Sequence, residues 1–148
     1  MKTDEPKMKV TATVGIEVPI RRVQDMLCCA FEGGANYWYR IEKFHEPKEF
    51  VHFSDKPYGE EKHKPQIFRH LDYPVNPGGY LIVSDAKLGN EVDKITKKKL
   101  DIAACMTGLK VMAEKYPRHF ADMMADNDDA ITGDVFLQCC LFGEVLYG

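Results

Sequence analysis

Asp72-Tyr73-Pro74-Val75-Asn76-Pro77-Gly78-Gly79-Tyr80-Leu81-Ile82-Val83 is the stretch that decides the fold. Asp, Asn, Pro and paired Gly are turn formers, each for its own backbone reason. The four large apolar residues that follow them read as a strand bounded by a turn. Four further segments carry strand patterns. In 9–17, Val10, Ala12, Val14 and Ile16 alternate with Thr11, Thr13, Gly15 and Glu17, which predicts a half-buried strand. In 36–44, Tyr37, Tyr39 and Ile41 share one face while Trp38, Arg40 and Glu42 share the other. Residues 50–53 and 66–70 are shorter candidates. Strands joined by short turns predict an antiparallel sheet rather than βαβ units.

The rest of the chain reads as helix. Pro19 suits a first helical turn, and Ile20, Val23, Leu27 and Phe31 then lie on one face until Gly33 and Gly34 end the segment. Asp93 is a candidate N-cap for a helix whose stripe is Ile95, Ile102, Met106, Leu109 and Tyr116, stopped by Pro117. A short helical piece covers 119–125 and a polar loop covers 126–133. The last helix, 134–146, is capped by Thr132 or Asp134 and is apolar on every side. That predicts burial at the centre of the fold or at a subunit interface, and with it a homo-oligomer. The expected fold class is therefore α+β: an antiparallel sheet packed against three to four helices in one domain, 1–148.

Composition bounds the function classes. The chain has 148 residues, 45% of them hydrophobic, and a net charge of -3, which argues against general nucleic-acid binding. No apolar run reaches the ~18 residues of a membrane helix. Five cysteines (Cys28, Cys29, Cys105, Cys139, Cys140) sit in apolar stretches without Cys-x-x-Cys spacing. This predicts buried free thiols in a cytoplasmic setting and no zinc site. Asp126-Asn127-Asp128-Asp129 fails the calcium-loop pattern, since Ile131 and Leu137 stand where Gly and Glu are needed. No phosphate-binding glycine loop or nucleophile elbow is present, so neither a cofactor nor a metal is expected.

Four clusters could carry chemistry. Gly33, Gly34, Asn36, Tyr37, Trp38, Tyr39 and Arg40 combine backbone access, ring faces and a planar cation, the needs of a flat ligand such as a nucleotide. The competing reading is a helix end followed by a strand whose aromatics pack on the core. The ligand reading requires an accessible Trp38; the packing reading requires a buried one. His70 and Asp72, with Arg69 and Tyr73 beside them, could transfer a proton or form an ordinary turn. His119 and Asp122, with Arg118 beside them, lie one helical turn apart and read as a surface contact. Lys94, Lys97, Lys98 and Lys99 read as a solvated basic patch at a helix start, able to meet an anion.

Phe31-Glu32-Gly33-Gly34-Ala35-Asn36-Tyr37-Trp38-Tyr39, the Asp72-Tyr73-Pro74 turn and Gly133-Asp134-Val135-Phe136-Leu137-Gln138 resemble a family of small bacteriophage and prophage proteins. The resemblance spans most of the chain and brings no catalytic residue with it. It implies a phage origin, a host-cytoplasm setting and, by analogy, a counter-defence role. The leading expectation is a non-catalytic protein that sequesters a small nucleotide-like ligand. The rivals are a protein-binding inhibitor of a host defence protein, and a small hydrolase or transferase using His70, Asp72 or His119.

Overall fold

The computed structural model describes residues 5–33, 37–50, 67–85 and 96–148. Their elements run α1 (Ile20–Glu32), β1 (Tyr39–His45), α2 (Arg69–Asp72), β2 (Tyr80–Asp85), β3 (Lys97–Leu100), α3 (Ile102–Lys115), α4 (Pro117–Met124) and α5 (Ala130–Phe142). The strands form an antiparallel sheet in the order β1-β2-β3. This is the α+β fold the turn-bounded strand predicts, with α2 no more than a single turn.

Helix α5 is the centre of the molecule. It packs most extensively on α1 and α3 and also touches α4 and β3. Every residue from Val135 to Leu141 is buried. Helix α1 meets it at backbone distance: a Cβ on Gly133 would stand 2.5 Å from the Ala30 nitrogen and 2.5 Å from the Cys29 Cβ. Gly108 of α3 gives Cys140 the same closeness. The helix on which the expected subunit interface rested is therefore enclosed within one chain, and its apolarity carries no argument for a homo-oligomer. It starts earlier than the pattern suggests. Asp129, not Thr132 or Asp134, is the N-cap, accepting a hydrogen bond from the Thr132 N–H at 2.9 Å. Gly143, at φ 71°, closes its C-terminus in the left-handed conformation.

Several expected elements are corrected. Residues 9–17 form no strand among the described residues, and every position from 5 to 17 is exposed. Residues 69–72 turn helically instead of extending, because the Asp72 carboxylate reaches back to the Phe68 N–H at 2.7 Å and closes the turn. Residues 97–99 are strand, not helix start: Lys97, Lys98 and Lys99 pair with Ser84, Val83 and Ile82. The cap of α3 is Asp101, accepting from the Ala104 N–H at 2.9 Å. Pro117 starts α4 as well as ending α3. Asp93, Lys94 and 51–53 lie outside the described residues.

The buried face of the sheet carries Tyr39, Leu81, Val83 and Leu100. Among the described residues no helix is long and apolar enough to cross a membrane.

Candidate functional site

Strand alternation sends Tyr80, Ile82 and Ser84 to the face of β2 turned away from the helices. The register places Arg40, Lys43 and His45 beside them from β1, and Lys97 and Lys99 from β3. All five of these flanking residues are exposed. A register shift between Ile41 and Lys43 puts an extra residue into β1 and lets Glu42 accept a hydrogen bond from the Ser84 hydroxyl at 2.7 Å. This bulge keeps Lys43 and His45 on the outer face.

Tyr80 is the hub of that face. The His45 ring stacks on it with centroids 4.4 Å apart and planes 10° from parallel. Lys99 Nζ lies 4.3 Å from the Tyr80 centroid, and Lys43 Nζ lies 5.9 Å away. Two ammonium groups thus converge on one ring, held by its negative face. At the end of the sheet, Asn76, Gly79, Tyr80, Lys99, Asp101 and Ile102 line a cleft of about 100 Å³. Drug-sized ligands occupy clefts of about 300–1,000 Å³, so a nucleotide does not fit inside; it would have to lie across the open face. Gly79 shapes the cleft, because a Cβ there would run into the Tyr73 carbonyl.

Of the Gly-aromatic-Arg cluster, Tyr37, Trp38 and Tyr39 stay together, with Trp38 edge-on to Tyr39 at 5.5 Å and both Tyr37 and Trp38 on Asp134. Trp38 is fully buried. Its indole N–H donates to Asp134 Oδ1 at 2.6 Å, and its ring stacks on Tyr147 with centroids 5.7 Å apart. The accessible indole that the ligand reading requires is not there, and Trp38 behaves as a core residue. Tyr39 is buried edge-on to Phe31. Tyr37 is half-exposed and donates its hydroxyl to Asp134 Oδ2 at 3.2 Å. Gly33 ends α1 against Ala130. Arg40 alone points to the open face, opposite Ser84. Gly34 and Asn36 lie outside the described residues.

His70 and Asp72 engage different partners. His70 Nε2 lies 3.3 Å from Glu32 Oε2. Asp72 instead accepts from Gln24 Nε2 at 3.0 Å and from the Phe68 N–H. Tyr73 is buried against Phe44 and Phe50. His119 is half-buried with its Nδ1 unbonded among the described residues. The Cys28 thiol donates to Glu32 at 2.9 Å, and that bond, with burial, pushes its pKa up to about 11. Burial and the neighbouring Asp128 push Cys29 up to about 12. Neither thiol has the depressed pKa of a nucleophile. Glu32 is held below the usual carboxylate range by the same Cys28 bond and by His70. Among the described residues no group of His, Cys, Asp and Glu has the geometry of a metal site.

Sequence reasoning missed Lys43, His45 and Tyr80. The signal was present in the alternation of 80–84, but the lysines opposite it read as a helix start. Comparison with protein-family models, curated proteins and solved structures gives no match.

Proposed function

We propose that the chain is a non-catalytic binding protein that holds a small anionic, nucleotide-like ligand on the open face of its sheet. The observation that carries this is the convergence of Lys43, Lys99 and the stacked His45 on Tyr80. Phosphate groups would lie among the ammonium groups and Arg40. A base would extend the Tyr80–His45 stack on the exposed His45 side. The overall charge of -3 favours a compact ligand over a long polyanion, since the positive field is confined to one face. The engagement of His70 and Asp72 with different partners and the raised thiols support binding over catalysis. The phage setting and the counter-defence role rest on the sequence resemblance alone and do not bear on the ligand's chemistry.

Calorimetric titration with mononucleotides, cyclic dinucleotides and inorganic tripolyphosphate tests the reading. Binding should weaken as salt rises and should fall at least about tenfold in Lys99→Glu and Lys43→Glu. His45→Ala should weaken a nucleotide by about 5- to 100-fold and leave tripolyphosphate unaffected. Binding of none of these probes, or equal binding by the charge-reversed variants, sinks the proposal.

A further inference from the structure

Residues 9–17 have the sequence of a strand, but among the described residues they pair with no other strand. Val10 is 82% exposed, Val14 71% and Ile16 53%, and Ala12 is exposed as well. The segment leaves the body at Val18, which packs against the core just before α1. One-sided alternation of this kind is of use only where a partner covers the apolar side. The sheet edges are poor candidates for that partner: β3 is lined by Lys97, Lys98 and Lys99, and β1 carries the bulge at Glu42. Both are recognised protections against strand addition.

The segment is complementary to itself. Laid antiparallel on a second copy with Thr13 at the two-fold axis, Lys9 faces Glu17, Val10 faces Ile16, Thr11 faces Gly15, Ala12 faces Val14, and Thr13 faces its own copy. Both ends then carry an opposite-charge pair, and all four apolar residues of each arm fall on one side of the ribbon. Opposite charges, Thr–Thr and β-branched pairs are the favourable cross-strand combinations. A shift of one residue in the pairing would break the apolar side. From this we infer that residues 9–17 form an antiparallel two-stranded ribbon with the same segment of a second copy, giving a two-fold symmetric homodimer. The interface is isologous, so one association satisfies both arms. A two-stranded ribbon alone is marginal in water, so the dimer is weak and dissociates on dilution.

Sedimentation equilibrium of the full chain, from low micromolar to near-millimolar concentration, tests this. The unaltered chain should fit a reversible monomer–dimer equilibrium. Val14→Lys should be monomeric throughout, with an unchanged circular dichroism spectrum. Lys9→Glu and Glu17→Lys each place like charges at both ends and should raise the dissociation constant roughly 5- to 10-fold at low salt. The double variant Lys9→Glu/Glu17→Lys restores both pairs and should return to within about twofold of the unaltered value. A monomer at every concentration overturns the inference. So does a dimer that Val14→Lys leaves intact, or a double variant that dimerises no better than the single ones.

Discussion

Helix α5 and the arm 9–17 are both strongly patterned apolar segments, and the chain treats them in opposite ways. Val135 to Leu141 are all buried, whereas Val10, Val14 and Ile16 are 53–82% exposed. An apolar pattern states that a segment gains by leaving water; it does not say which surface will cover it. For α5 the cover comes from α1, α3, α4 and β3 of the same chain, brought close by Gly133 and Gly108. For the arm it does not come from the described part of its own chain. The expectation of a homo-oligomer rests on α5, a segment that its own chain already covers.

The largest expected effect is at the enclosed end of this comparison. Phe136 is fully buried in the middle of α5. Phe136→Ala should cost about 3–5 kcal/mol, the lost transfer energy plus the cavity. That is a large part of the about 5–15 kcal/mol that a domain has. Chemical denaturation followed by circular dichroism measures it. A cost under about 1 kcal/mol would mean that α5 is not the centre.

Trp38→Ala should come next, near the lower end of the same range at about 3 kcal/mol. Asp134, which loses the indole donor, keeps Gln138 Nε2 at 3.2 Å and the Tyr37 hydroxyl, so its carboxylate is not left bare. Trp38 emission should be blue-shifted and resistant to soluble quenchers. Ready quenching in the native state would return Trp38 to the surface and reopen the ligand reading of its cluster.

What was legible in the sequence followed from local chemistry. The 72–79 turn, the strand at 80–83 and the apolar face of α1 around Val23 and Leu27 needed no knowledge of distant partners. What was not legible depended on them. Lys97, Lys98 and Lys99 carry no strand pattern and are held extended by pairing with β2, a tertiary effect that overrides propensity. Alternation alone puts Trp38 and Arg40 on one face, yet Trp38 sits before the start of β1 and turns inward to Asp134, while Arg40 turns outward. Asp134 is 96 residues further along the chain. No local rule links the two.

A smaller effect is expected at the entrance of α5. The Asp129 carboxylate accepts the Thr132 N–H and its hydroxyl. These bonds favour the charged form and hold its pKa below the usual value. The folded pKa is lowered, so the stabilisation is fully present above the unfolded value. It is lost as pH falls through the lower, folded one. Asp129→Ala should cost about 1 kcal/mol at neutral pH, and the difference between the two proteins should shrink in acid. A difference that stays constant from pH 7 to well below pH 4 would remove the charge from the account. It would leave α5 dependent on packing alone.

The smallest effect is expected at the bare end. Val14 touches water on most of its surface, so shortening it removes almost no burial from the folded chain. Val14→Ala should change the unfolding free energy by less than about 0.5 kcal/mol, the usual range for a surface substitution. The measurement has to be made at a concentration low enough for the chain to be monomeric, because anything that binds the folded state alone adds stability by mass action. At high concentration the same substitution should cost more, since it thins the apolar side of the ribbon twice per dimer. A cost that grows with protein concentration therefore separates an arm covered by a second copy from an arm covered by nothing. A cost above about 1 kcal/mol in the monomer would show that the arm folds back on its own chain, and the contrast with α5 would disappear.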